Sequence, residues 1–140
     1  MSDRVFIDTN ILVYAYDQHD PRKQNKAQEL LVDGIERETL VLSAQVLGEF
    51  FNVVTRHIPK PMTSDEAREI MAIISILPVQ EIDHAMVNRA IGTHKMYQIG
   101  YWDALIISAA ERAGCKLILS EDFSNGQAYH EILVRNPFKE

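Results

Sequence analysis

The sequence holds a single cysteine, Cys115, so no internal disulfide framework is possible. Small secreted domains lean on such frameworks, and a reducing compartment is the simpler setting for this chain. The plain role for that thiol is a small buried hydrophobe between a helix and a strand. No apolar run is long enough to span a bilayer. "MSDR" leads straight into a strand-like segment rather than a signal peptide. A cytoplasmic protein is therefore expected. Basic residues are also scarce, with 14 Lys and Arg against 20 Asp and Glu and a formal net charge of -6. A protein that grips nucleic acid by its overall field would carry the opposite sign. A nucleic-acid enzyme is still allowed, provided that local patches and bound cations draw the polyanion in. No repeat, low-complexity stretch or linker interrupts the 140 residues, so one domain spanning 1–140 is expected.

The chain does contain alternating short strands and helical stretches. "RVFID" reads as a buried strand, followed by a short helix from Asn10 to Tyr16. Asp20 and Pro21 mark the start of the next helix, with Ala27, Leu30, Leu31 and Ile35 as its apolar stripe. "TLVLS" is a second strand, and Ser43 caps a helix carrying Val46, Leu47, Phe50, Val53 and Val54. Thr63 and Glu66 stand at capping-box spacing, and Pro78 ends that segment. "VQEI" reads as a third strand, followed by a helix from Asp83 to about His94 and another from about Tyr101 to Ala113, which Gly114 stops. "KLILS" and "EILVR" complete a set of five strands. The alternation predicts an α/β fold with a short, mostly parallel sheet flanked by helices.

Four acids occupy unusual places in that pattern. Asp8 lies where the first strand passes into a helix, and Asp122 just beyond the fourth strand in "LILSEDF". Glu49 sits within the apolar and small-residue run "SAQVLGEFFNVV", and Asp103 opens the helix of "GYWDALIISAAE". Each has an ordinary explanation alone: an N-cap, a helix edge, a favourable charge on a helix dipole. Together they predict a shared cleft, because ligands of parallel sheets gather beyond the carboxyl ends of strands. Carboxylates so gathered repel, and they take up protons or recruit a cation. Oxygen donors without paired Cys or His favour a hard ion such as Mg2+ or Mn2+. Such an ion suits phosphodiester hydrolysis.

"VFIDTNILVYAYD", "LSAQVLGEFFNVVTR" and "YWDALIISAAERAGCKLILSEDF" together resemble a PIN-domain ribonuclease of the VapC toxin type, from near the N-terminus to about Gln127. The resemblance implies a three-layer PIN-like fold and a Mg2+- or Mn2+-dependent endoribonuclease acting on RNA. It assigns Asp8, Glu49, Asp103 and Asp122 to the catalytic acidic positions, with Asp8, Asp103 and Asp122 as metal ligands. Asn10 and Ser120 match its polar supporting positions. Glu121 stands beside Asp122, and Asp122 is the expected ligand because Ser120 then shares its side of the chain. The resemblance also implies a VapB-like antitoxin partner and a homodimer. The stretches "AMVNRAIGTHKMYQIGYW" and "EIMAIISIL" carry more apolar surface than one small sheet needs, in keeping with a dimer.

Other features read more plainly. His19, His57, His84, His94 and His130 make no ligand pattern. Arg22, Lys23 and Lys26, and separately Arg56, His57 and Lys60, read as solvated faces or as contacts to RNA phosphates. Tyr14, Tyr16, Tyr97, Tyr101 and Trp102 read as core or interface residues, with base stacking as the alternative. Two other function classes fit part of the pattern. A phosphohydrolase with Asp8 as nucleophile, as in haloacid-dehalogenase-like enzymes, needs a second Asp two residues on, where Asn10 stands. A catalytically silent PIN-like binding domain has no need to retain all four acids.

Overall fold

Strand β1 (Arg4–Ile7) pairs in parallel with β2 (Leu40–Ser43) on one side and β4 (Cys115–Leu119) on the other. The computed structural model describes residues 3–139. Beyond β2 lies β3 (Val79–Gln80), and beyond β4 lie β6 (Ile132–Arg135) and β5 (Ala128–Tyr129). Among the described residues only the β5–β6 pair is antiparallel. Phe6, Ile7, Leu42, Ile118 and Val134 are fully buried across the sheet, as strands covered by helices require. The expected α/β class, with a mostly parallel sheet flanked by helices, is the one observed.

Two helical groups cover the sheet. One comprises α1 (Thr9–Tyr16), α2 (Pro21–Arg37), α3 (Ala44–Arg56) and α4 (Ser64–Ile74), and the other pairs α5 (His84–Tyr97) with α6 (Tyr101–Arg112). The caps read from the sequence are in place. Asp20 accepts from the Lys23 N–H, Ser43 from Val46 and Asp83 from Met86, while Thr63 and Glu66 close a reciprocal capping box. Such caps are worth about 1 kcal/mol each. Helix α6 differs in character, since every residue from Ala104 to Ala110 is buried. It packs against β2, β3, β4 and β6, and so fixes the position of whatever its first turn carries.

The strand order places the candidate site. From β1 the chain moves outward to β2 and β3, then returns to β4 on the opposite side of β1. The winding direction therefore reverses between β1 and β4, and a crevice opens at such a switch point beyond the carboxyl ends. Asp8 follows β1 and Ser120 follows β4. The Asp8 N–H donates to the Leu119 carbonyl at 3.0 Å, which carries the ladder up to the edge where both side chains emerge.

Three local expectations are corrected. Ile35 is 53% exposed and is not part of the buried stripe of α2; Gly34 takes that place. A Cβ on Gly34 would lie 2.3 Å from Leu40 Cγ, so the helix approaches β2 more closely than any side chain permits. The "VQEI" strand is limited to Val79–Gln80. A sixth strand, β5, was not expected. It joins β6 through His130 and Glu131, both at positive φ (49° and 69°), a turn geometry usually announced by Asn-Gly. No helix among the described residues is long and apolar enough to cross a membrane.

Candidate functional site

Asp8 ends β1 and caps α1, and it is 5% exposed. Its Oδ1 accepts the Thr9 N–H at 2.7 Å, and its Oδ2 accepts the Ser120 hydroxyl, also at 2.7 Å. Ser120 is itself fully buried, and its Oγ receives the Asp122 N–H at 3.1 Å. One hydroxyl thus ties the first carboxylate to the backbone that carries the last. Asn10, on the first turn of α1, adds a second tie. Its Nδ2 donates to Asp122 Oδ2 at 3.0 Å and to Ser120 Oγ at 3.3 Å, while its Oδ1 accepts the Glu121 N–H. Asp8, Asn10, Ser120 and Asp122 are therefore one hydrogen-bonded unit spanning the switch point.

Glu49 joins from α3. Thr9 donates its hydroxyl to Glu49 Oε1 at 2.6 Å, and Gln45 donates Nε2 to Oε2 at 3.0 Å. Gln45 Nε2 also reaches the carbonyl of Trp102 at 3.1 Å, connecting α3 to the first turn of α6. That turn carries Asp103 and has no side-chain cap at Gly100. Asp103 makes no direct hydrogen bond to another acid, but it lies within the fields of Asp122 and Glu49. Thr9, Asn10, Glu49, Asn52, His57 and Asp122 line the cleft that opens between α1 and α3.

Glu121 points elsewhere. It accepts from Tyr14 OH and pairs with Lys23 Nζ at 2.8 Å, away from the other acids. Lys23 in turn lies over the rings of Tyr14 and Phe138. Two adjacent acids thus serve different neighbours, because successive side chains beyond a strand diverge. Thr9 and Gln45 hold Glu49 but were not singled out in the sequence. The spacing from Gln45 to Glu49 is four residues along one helix, where side chains meet, and it was the one available signal.

The electrostatics are those of crowded carboxylates. Burial pushes the Asp8 carboxyl up to about 6, against the pull of the Ser120 and Thr9 hydrogen bonds, and the charges of Asp122 and Glu49 push the same way. Asp103 is also raised, by desolvation first and then by Asp122 and Glu49. Among the described residues, no three His, Cys, Asp or Glu side chains close into a ready-made cation shell. None of the five histidines belongs to the acid cluster by hydrogen bonding. His94 and His130 are engaged by Ile99 and by Thr93 and Tyr97. Cys115 is buried and its thiol is pushed up to about 11, which leaves it inert.

The PIN domain family matches residues 5–125, the stretch that carries Asp8, Glu49, Asp103 and Asp122. The chain belongs to the PIN-domain family. It is 24% identical over 139 residues to Ribonuclease VapC1 of Aquifex aeolicus, covering 99% of this chain and 95% of that one. It is 28% identical over 127 residues to Ribonuclease VapC23 of Mycobacterium tuberculosis, covering 89% and 98%. Among solved structures, a toxin–antitoxin complex from Klebsiella pneumoniae superposes with a TM-score of 0.71 at 14% identity, over 97% of this chain and 99% of that one.

The raised Asp8 carboxyl has a consequence for stability. The folded form holds this proton more tightly than an unfolded chain, whose aspartate titrates near 3.8. Stability from this group is therefore greatest below about pH 4 and is lost as pH rises through 6. The full deficit above pH 6 is on the order of 3 kcal/mol, from about 1.4 kcal/mol per unit. Asp8→Asn cannot ionise, so in EDTA it should gain on the native protein by ~1–3 kcal/mol between pH 4.5 and pH 8. Urea melts at the two pH values measure this, and a constant difference would refute it.

Proposed function

We propose that the protein is a divalent-metal endoribonuclease that hydrolyses RNA phosphodiester bonds as the toxin of a VapBC-type pair. The observation that carries this reading is the buried Asp8, locked by Ser120 and Thr9 and crowded by Asp122 and Glu49. Its PIN-domain membership and its similarity to two VapC ribonucleases support the same chemistry.

The donor set fits a hard dication. It is all oxygen, it is negatively charged, and a cation would offset the burial and the neighbouring charges that raise Asp8 and Asp103. Mg2+ keeps several waters and binds through one or two carboxylates at a time, so a closed protein shell is not required. Asp8, Asp103 and Asp122 are the residues proposed to hold Mg2+ or Mn2+, which when bound lowers the pKa of water and offsets charge developing on phosphate. Ser120 and Asn10 keep Asp8 and Asp122 oriented before substrate arrives, so the geometry costs nothing at the moment of reaction. Glu49, steadied by Thr9 and Gln45, is proposed to receive a proton from the attacking water. Water adds to phosphorus, the leaving ribose oxygen takes up a proton, and the P–O bond between them breaks.

Cleavage of RNA with Mg2+ or Mn2+, and its loss in EDTA, tests the reaction. Asp8→Asn and Asp103→Asn should fold and lose about a hundredfold or more in rate, roughly what one transition-state contact supplies. Glu49→Gln should lose less. Undiminished cleavage by folded Asp8→Asn would sink the assignment, and phosphate retained covalently on Asp8 would point to a phosphohydrolase instead.

Assembly follows from exposed apolar side chains. Ile73 and Ile76 near the end of α4, Ile91 and Met96 on α5, and Trp102 on α6 all stand out in solvent. Large apolar side chains left in water are ones that an interface would cover, and a homodimer through them is proposed. Light scattering should give twice the chain's 16.0 kDa. A monomer mass at micromolar concentration would exclude the dimer.

A free ribonuclease would damage its own cell, and a VapB-like antitoxin is the proposed control. The solved Klebsiella neighbour is a toxin–antitoxin complex. An arginine of such a partner can pair with clustered carboxylates and compete with metal for the same oxygens. Inhibition by the partner should weaken as Mg2+ rises and should fall when that arginine is changed to alanine. Equal inhibition at all metal concentrations would exclude blockade of this site.

A further inference from the structure

A protein of net charge -6 must hold a polyanion by local fields, and the acidic cleft itself repels phosphate until a cation is bound. One concave surface beside the cleft carries the opposite sign. Arg22 and Lys26 rise from α2 on one wall, and Arg135 and Lys139 from the C-terminal segment on the other, with Pro137 and Lys26 shared along its length. Arg22, Lys26, Arg135 and Lys139 are exposed, and Arg22, Lys26 and Arg135 have no acidic partner among the described residues. Glu29 is the acid that lines this groove. Glu121, the nearest acid of the site edge, is committed to Lys23 and Tyr14.

The C-terminal wall of the groove is tied to the acid site through the backbone. The Ser120 N–H donates to the Arg135 carbonyl at 3.1 Å, so Arg135 leaves β6 one hydrogen bond from the residue that holds Asp8. The segment beyond it is fastened, since Asn136 N–H donates to Asn125 Oδ1 and Phe138 N–H to Asn136 Oδ1. Phe138 packs edge-on against Tyr14, beneath Lys23. Cations separated by more than a hundred positions in sequence are thus held along two walls of one channel rather than scattered over a convex face.

We infer that this basic groove of α2 and the C-terminal segment holds the phosphate backbone of the RNA on one side of the scissile bond. The inference rests on the ribonuclease reading above and extends it to a substrate track. A concave row of cations binds backbone without reading bases, and it gives affinity that depends steeply on salt. The groove therefore sets how much RNA the enzyme engages, while the acids set where it cuts.

The test separates binding from cleavage. Single-stranded RNA of about a dozen nucleotides is titrated by fluorescence anisotropy in EDTA at several salt concentrations, against the native chain, Lys26→Ala, Arg135→Ala and the double variant. Each lost phosphate contact should reduce the slope of log K against log salt by about 0.7. Lys116→Ala, a cation on β4 outside the groove, serves as the charge control and should leave the slope intact. In cleavage assays with metal, the double variant should raise KM for the long RNA by about tenfold, and more than for a dinucleotide. If RNA is not cleaved by any form, the reaction assignment fails while the salt slopes still report on the groove. Slopes unchanged in Lys26→Ala and Arg135→Ala, or reduced equally in Lys116→Ala, overturn the inference. Weakened binding of an acidic protein segment with unchanged RNA slopes would overturn it in favour of that partner.

Discussion

The hydrogen bond from Ser120 Oγ to Asp8 Oδ2 joins the ends of two neighbouring parallel strands, and the rest of the site is arranged around it. It places a donor on a carboxylate that burial would otherwise neutralise. Its hydroxyl also accepts the Asp122 N–H, so the exit of β4 turns in the direction that separates Asp122 from Glu121. A buried polar group in this position must be satisfied, and Asp8 is satisfied on both oxygens by Thr9 and Ser120.

The cost of that arrangement lies in charge. Asp8 is pushed up because few water molecules reach it and because Asp122 and Glu49 are near. Folding brings these acids together only because β1, β4, α3 and α6 are held by a core in which Phe6, Phe50, Ile107 and Ile118 are fully buried. The apolar core thus opposes the repulsion at the crevice, a division of labour common where sites need groups that would not associate unaided. Polar side chains limit the repulsion further, as Thr9, Gln45 and Asn10 donate to carboxylates.

Much of the architecture was legible because its signals are local. Cap residues, prolines and short apolar runs act within a few positions, so Asp20, Ser43, Thr63 and Asp83 could be assigned as helix starts. Ile35 misled because periodicity identifies an apolar face but not a neighbour that comes close enough to require Gly34. Strand β5 was missed because a two-residue strand has no periodicity, and the His130–Glu131 turn lacks the residues that usually mark it.

By itself, the sequence determined the class of fold and made four acids conspicuous against apolar runs, whereas Asn10 and Ser120 were marked only by the resemblance to a PIN domain. Only the tertiary structure decided which way each acid turns. Asp122 and Glu121 are neighbours of equal charge in the chain, and the one local signal, the side that Ser120 shares with Asp122, does not say what Glu121 meets instead. Lys23 and Tyr14, some hundred positions away, take Glu121 and leave Asp122 to Asn10. The same holds for Gln45 and for the basic groove, whose members meet only when α2 and the C-terminal segment flank one end of the sheet. Composition and spacing encode contacts along a helix or strand, whereas contacts between distant segments exist only after the core has brought them together.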